Sequence, residues 1–265
     1  MSDDLDVPAG GDAWNALRSL TPARVALGRT GASLPTQEVL RFGHAHALAR
    51  DAVHAVLDRS LVEAAIARLG HTSVAVNSAA GDRATYLRRP DLGRRLGAGE
   101  TERLVAMTDA HGCDLAVVVA DGLSATAIHT QVEPLLAALL PQVVRRGLRL
   151  APLTIATQAR VALGDAVGGA LEARLALVLI GERPGLSSPD SLGAYLTYEP
   201  RPGRRDNERN CISNIRAAGL SPARAAEAIL WLMGEALRRG ETGVALKDES
   251  RDIEVLPPGG VRALP

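Results

Sequence analysis

Two glycine-flanked acids offer the clearest openings for chemistry. In "LIGERPGLSS" (179–188) an apolar run, Leu175 to Ile180, stops at Gly181 and is followed by Glu182, Arg183, Pro184 and Gly185. A second apolar run ends in Asp121, Gly122, Leu123 and Ser124. An apolar run closed by glycine is the pattern of a buried strand whose carboxyl end opens into a loop, and ligands of open α/β sheets sit beyond such ends. Glycine lets backbone N–H groups approach a ligand closely. Asp121 and Glu182 are then acceptors for ligand hydroxyls or amides. The same residues equally suit ordinary strand-to-helix turns, with both acids acting as caps.

Familiar catalytic patterns are missed at defined positions. The hydrolase nucleophile elbow needs G-x-S-x-G, and "GLSAT" (122–126) places Thr126 where the last glycine belongs, so Ser124 is expected to be an N-cap. A hydrolase using Ser124 and His129 would need a base within hydrogen-bond reach. "GRTGAS" (28–33) lacks the Lys-Ser/Thr ending of a phosphate loop, and "GDAVGG" (164–169) is not G-x-G-x-x-G. His44, His46 and His54 fall on one predicted helix, where a turn of about 100° per residue points 44 and 46 apart and excludes a shared metal. Cys211 in "RNCISNI" (209–215) stands between Asn210 and Asn214 ahead of the last helix, which fits either an inert packed thiol or a ligand-facing loop. "YLRRPDLGRRL" (86–96) gathers Arg88, Arg89, Arg94 and Arg95 as a solvated surface or a dock for an acidic partner. With no nucleophile–base pair, metal cluster or nucleotide fingerprint, no catalytic and no metal-ligating residue is assigned, and the inventory suits a binding subunit.

The elements that must position these loops follow from periodicity. "DLAVVVADG" (114–122) and "RLALVLIGE" (174–182) are near-continuous apolar runs, as expected of strands covered on both faces. "LRLAPLTIATQ" (148–158) and "LGAYLTYE" (192–199) are further strand candidates, with helical segments at about 129–146 and 163–172 between them. This alternation predicts an α/β fold with a mostly parallel, doubly wound sheet and flanking helices. A last helix begins with Ser221 as cap and Pro222 at its first position and ends at Gly240; Ala226, Ile229, Leu230, Met233 and Leu237 form its buried face. The first third is mainly helical: "TQEVLRFGHAHALARDAVHAVLD" starts near Thr36 with Leu40, Ala47 and Val53 in its apolar stripe, and a second helix at about 60–69 stops at Gly70. Strand character there is confined to "SVAVNS" (73–78). Asp12 is placed to cap a short helix over "DAWNALRSL".

Composition narrows the partners. Thirty basic and thirty acidic residues among 265 leave no net charge, so nothing points to nucleic acid or an anionic membrane. The scarce aromatics, Trp14, Phe42, Tyr86, Tyr195, Tyr198 and Trp231, offer no base-stacking platform. Cys113 and Cys211 are far apart, which fits a reducing cytoplasm. The acidic, Pro/Gly-rich start does not resemble a signal peptide, and no apolar run approaches the roughly 20 residues that span a bilayer.

Several strings in register resemble the small (light) subunit family of ethanolamine ammonia-lyase: "TPARVALGRTGASLPTQEVLRF" (21–42), "YLRRPDLGRRL" (86–96), "VVADGLSATAI" (118–128), "LIGERPGL" (179–186) and "CISNI" (211–215). The resemblance implies an adenosylcobalamin-dependent enzyme that converts ethanolamine to acetaldehyde and ammonia by a radical route. It further implies a large subunit with a TIM-like barrel that binds the substrate, and a Rossmann-like domain in the small subunit that closes over cobalamin at the interface. Matched by motif, Val161 in "QARVAL", Glu182 in "GERPG" and Cys211 in "CISN" are the implied cofactor contacts. "DAHGCD" (109–114) places Asp114 where the D-x-H-x-x-G motif of histidine-ligated cobalamin proteins has glycine. The family keeps its own dimethylbenzimidazole on cobalt, so His111 is not needed as a ligand. The expected organisation is a leader (1–20), a mainly helical region with an extended arm (21–97), the Rossmann-like cobalamin-binding domain (98–242) and a tail (243–265) with no assigned role. The short leader lacks a long amphipathic pattern, so a cytoplasmic complex outside microcompartments is expected. A non-catalytic Rossmann-like adaptor for another nucleotide-like ligand is the alternative.

Overall fold

In the computed structural model, β2 (Cys113–Ala120) is buried along its entire length. Its odd-numbered residues Leu115, Val117 and Val119 join one apolar cluster, and Ala116, Val118 and Ala120 join another on the opposite face. A period of two, apolar in both phases, is what a strand covered on both sides requires. The described residues are 23–108 and 111–249, with Trp14, Leu17, Arg18, Leu20 and Thr21 before them. Asp12 and the tail from residue 250 lie outside them.

Along the chain come α1 (Thr36–His54), α2 (Arg59–Arg68), β1 (Ser73–Asn77), α3 (Arg83–Arg88), a 3₁₀ turn at Leu92–Arg94, α4 (Glu100–Val105) and β2. Then follow α5 (Ala125–Arg145), β3 (Leu153–Thr157), α6 (Leu163–Ala170), β4 (Ala173–Gly181), β5 (Leu192–Tyr198), a 3₁₀ turn at Asp206–Glu208, β6 (Arg209–Ile215) and α7 (Pro222–Arg239). The six strands form one sheet in the order β1-β3-β2-β4-β5-β6. Pairs β1–β3, β3–β2 and β2–β4 are parallel, whereas β4–β5 and β5–β6 are antiparallel. The sheet is therefore mixed, not parallel throughout. Only the short connection Glu182–Ser191 joins β4 to β5, and a parallel return needs a crossover of a dozen or more residues. β1, from the mainly helical first third, is the outer parallel strand of the same sheet.

Helices α2, α5 and α7 cover one face and α4 and α6 the other. Ser124 caps α5 by accepting from the Ala127 N–H, so the helix starts before the expected residue 129. Ser221 caps α7, Pro222 opens it, and Gly240 closes it in the left-handed conformation, as the sequence predicts. Two expectations are corrected. "RNCISNI" is not a loop but β6, with Arg209, Ile212 and Ile215 buried and a shift of register against β5 between Leu192 and Ala194. The apolar stripe of α1 is not buried either: Leu40 is 68% exposed, Ala47 is exposed, and only Ala52 is fully covered. This helix rests against α5 rather than on the sheet, and Thr36 makes no side-chain cap.

Candidate functional site at the carboxyl ends of the parallel strands

The two acidic loops meet where β2 and β4 end. The Leu123 N–H donates to the Gly181 carbonyl at 2.9 Å. A Cβ on Gly122 would lie 2.2 Å from the Gly181 oxygen, and one on Gly181 would lie 2.0 Å from the Ser124 oxygen. Both glycines thus exist for backbone-on-backbone packing of one loop against the other, with Gly122 at φ +56°.

The two acids have different fates. Asp121 is 2% exposed and accepts the Gln158 and Ala159 N–H groups at 2.8 and 3.0 Å, with the Arg83 guanidinium 3.6 Å away. Burial pushes its carboxyl up, against the pull of those donors. It clamps the loop after β3 to the end of β2, holds Gln158 in a left-handed conformation, and has both oxygens committed. Glu182 is half-buried. Its Oε2 accepts from Ser191 Oγ at 2.5 Å and from the Asn214 N–H at 3.2 Å. Its Oε1 has no hydrogen-bond partner among the described residues. A Cβ on Gly193 would come within 3.0 Å of that oxygen, so glycine there makes room for the carboxylate.

Glu182 lines a cavity of about 410 Å³ with Gly122, Leu123, Val161, Arg183 and others. A neighbouring cavity of about 310 Å³ is lined by Cys211, Arg94, Asp206 and Arg209. Arg160, Val161 and Tyr195 line both. The three residues singled out in the sequence thus come together: Val161 on the shared wall, Glu182 to one side and Cys211 to the other. Cys211 lies directly opposite Tyr195 across the β5–β6 pair. Desolvation in the cavity wall pushes the Cys211 thiol up; Tyr195 pulls it down and Glu182 pushes it further up. The Tyr195 hydroxyl is raised by burial, then by Cys211.

Beneath this wall stands a layer that sequence reasoning missed. Tyr86 is fully buried, donates to the Ala159 carbonyl at 3.1 Å, and has the guanidinium of Arg160 at 4.3 Å and that of Arg83 at 4.9 Å from its ring centre. Arg209 forms a buried ion pair with Asp165 of α6, both side chains being at most 3% exposed. The basic stretch 86–96 is divided: Arg89 and Arg95 pair with Asp91, while Arg94 faces the cavity. The only local signal for this layer was the position of Arg160 beside Val161.

The remaining candidates separate from the site. Ser124 donates its hydroxyl to the Pro189 carbonyl at 2.7 Å, and His129 Nε2 accepts the Asp58 N–H at 2.9 Å, so neither is available as nucleophile or base. His111 precedes β2 and lies at the other end of the sheet, the full length of that strand away. No group of three metal-ligating side chains occurs among the described residues.

Comparison with known proteins places this arrangement. The family described as ethanolamine ammonia-lyase light chain (EutC) matches residues 11–247. The ethanolamine ammonia-lyase small subunit of Xanthomonas campestris pv. campestris is 56% identical over 90% of this chain and 89% of its own. That of Pseudomonas putida is 53% identical, covering 93% and 92% of the two chains, and that of Ralstonia nicotianae 51%, covering 97% and 96%. The chain belongs to the ethanolamine ammonia-lyase small-subunit family and is a subunit of a lyase.

Proposed function

We propose that this chain binds adenosylcobalamin at an interface with the large subunit of ethanolamine ammonia-lyase, and so enables conversion of ethanolamine to acetaldehyde and ammonia. The observation that carries the reading is the convergence of Val161, Glu182 and Cys211 on two adjoining cavities beyond the carboxyl ends of β2, β3 and β4. The donor set suits a corrin rim bearing amide side chains. Glu182 Oε1 is an uncommitted acceptor held in place through its other oxygen, Val161 supplies apolar contact, and Tyr195 supplies a flat wall. β1 to β4 with their helices form the Rossmann-like part, and ligands of such sheets occupy this edge. Both cavities are shallow enclosures in one chain, which fits a cofactor shared with a partner that binds the substrate.

Adenosylcobalamin, when bound, supplies the homolytic chemistry that starts the radical rearrangement. This chain's contribution is orientation. Glu182 would accept from amide N–H groups of the ligand, Val161 and Tyr195 would give it an apolar and aromatic wall, and the clamp of Asp121 on the loop after β3 keeps Val161 in place. A rim held in one pose limits the geometries available to the reacting groups. The complex is proposed to work in the cytoplasm, outside microcompartments.

The test is co-expression with a cognate large subunit, followed by ethanolamine deamination with and without adenosylcobalamin. Cofactor-dependent acetaldehyde that disappears when this chain is omitted is the expected result. Two folded chains that fail to assemble, or an assembled complex that ignores the cofactor, would overturn the reading.

A further inference from the structure

The cavity beside Cys211 carries positive charge that the chain does not neutralise. Arg94, Arg160 and Arg209 line it against one acid, Asp206. Arg209 is neutralised by Asp165 beneath it and donates to the Arg204 carbonyl at 2.7 Å and the Thr197 hydroxyl at 3.3 Å, while its buried Nε makes no hydrogen bond. Asp206 leans towards Arg209, with 3.6 Å between its Oδ1 and the Arg209 Nε. Arg94 and Arg160, by contrast, have no carboxylate within ion-pair distance among the described residues. The Nε of Arg160 is buried without a hydrogen-bond partner. Its guanidinium is stacked on Tyr86, and its own backbone N–H is anchored on the Gly93 carbonyl at 2.7 Å, next to Arg94.

Elsewhere the chain pairs its arginines readily: Arg68 with Glu133, Arg89 with Asp91, Arg204 with Glu208 and Arg238 with Glu235. A buried donor left open costs free energy unless a ligand completes it. A planar guanidinium stacked on a ring beside a cavity that it lines suits the oxygens of a phosphate.

We infer that Arg94 and Arg160 form a subsite for a phosphodiester anion, and that the phosphodiester of the cobalamin nucleotide tail is its occupant. This rests on the cobalamin reading above. Glu182 and the arginine pair then divide the labour: the carboxylate meets amide donors of the corrin rim on one side of Val161, and the two guanidiniums meet the anion on the other.

The experiment uses the complete complex of this chain with its large subunit and measures affinity by absorbance titration, without turnover. The two probes are adenosylcobalamin and adenosylcobinamide, which keeps the amide-bearing corrin but lacks the phosphodiester and nucleotide. Arg94→Gln is expected to weaken adenosylcobalamin binding by about tenfold or more and to leave adenosylcobinamide binding unchanged, and Arg160→Gln to weaken adenosylcobalamin binding more than adenosylcobinamide binding. Arg94→Lys is expected to recover part of the loss, because the charge remains. Arg94 is exposed, so its variant carries the test even if loss of the Tyr86 stack unfolds Arg160→Gln. Equal losses for both probes, or no loss for either, would overturn the subsite while leaving cobalamin binding intact. A wild-type complex that binds neither probe would overturn the cobalamin reading itself.

Discussion

Tyr195 and Cys211 face each other across the antiparallel β5–β6 pair, on the wall between the two cavities. The pair couples the thiol to two neighbours of opposite effect: partial desolvation of the sulfur raises its value most, although the residue as a whole is exposed, Tyr195 lowers it and Glu182 raises it further. The thiolate is the reactive form, so a raised thiol alkylates slowly near neutral pH. Iodoacetamide labelling of Cys211, followed by mass spectrometry across pH, should run later than a free thiol, whose midpoint is about 8.5. Tyr195→Phe should move the profile to higher pH and Glu182→Gln to lower pH. Shifts in the same direction would show that the two residues do not act on the thiol as the geometry requires. Cys113, buried and pushed up to about 11, should stay unlabelled throughout the neutral range.

Glu182→Ala tests the carboxylate as a ligand acceptor. Removing it strands the hydroxyl of the buried Ser191 and the N–H of the exposed Asn214 in β6. Assembly with the large subunit should survive, as judged by size-exclusion chromatography. Affinity for adenosylcobalamin should fall by about tenfold or more, the scale of a hydrogen bond to a charged group. Unchanged affinity in an intact complex would remove Glu182 from the site.

How far the sequence disclosed all this depended on range. Ser124, Ser221, Pro222 and Gly240 act within a turn of their own helix, so the caps and ends they predict are found in place. β2 and β4 were legible because burial on both faces leaves a continuous apolar run. β6 was not, because Asn210, Cys211 and Asn214 are polar positions of an edge strand, and such a pattern also describes a loop. The antiparallel return of β5 depends on its pairing with β4, which no local string records. The same limit hid the site's second layer. Arg160, Tyr86, Arg94 and Arg209 come from separate segments, and only the folded chain stacks one guanidinium on the ring and leaves its Nε open.

The buried pair of Asp165 and Arg209 fastens α6 to β6 under the Cys211 cavity. Burial raises the Asp165 carboxyl and Arg209 opposes the shift, which marks an ion pair maintained against desolvation. Asp165→Ala would leave the guanidinium uncompensated at the same depth. The expected loss is about 3–5 kcal/mol in urea unfolding, the range for breaking one side of a buried pair. A loss below about 1 kcal/mol, typical of exposed pairs, would mean that water reaches Arg209.

Gly122→Ala and Gly99→Ala separate backbone strain from loop-on-loop contact. Both glycines have positive φ, +56° and +76°, so each alanine should lose about 1–2 kcal/mol from the left-handed conformation alone. Around Gly99 a Cβ meets nothing within 4 Å, whereas at Gly122 it meets the Gly181 oxygen at 2.2 Å and Ile180 Cγ1 at 2.5 Å. The oxygen cannot withdraw freely, because the Leu123 N–H bonds it and the backbone of Ile180 before it is paired with β2. Gly122→Ala should therefore cost about 1–3 kcal/mol more than Gly99→Ala, the usual scale of overpacking. It should also weaken cofactor binding, since the loop that moves borders the Glu182 cavity. Equal urea midpoints for the two variants would show that the Gly122–Gly181 contact yields without cost, and the close packing of the two loops would no longer explain why glycine stands at the end of both strands.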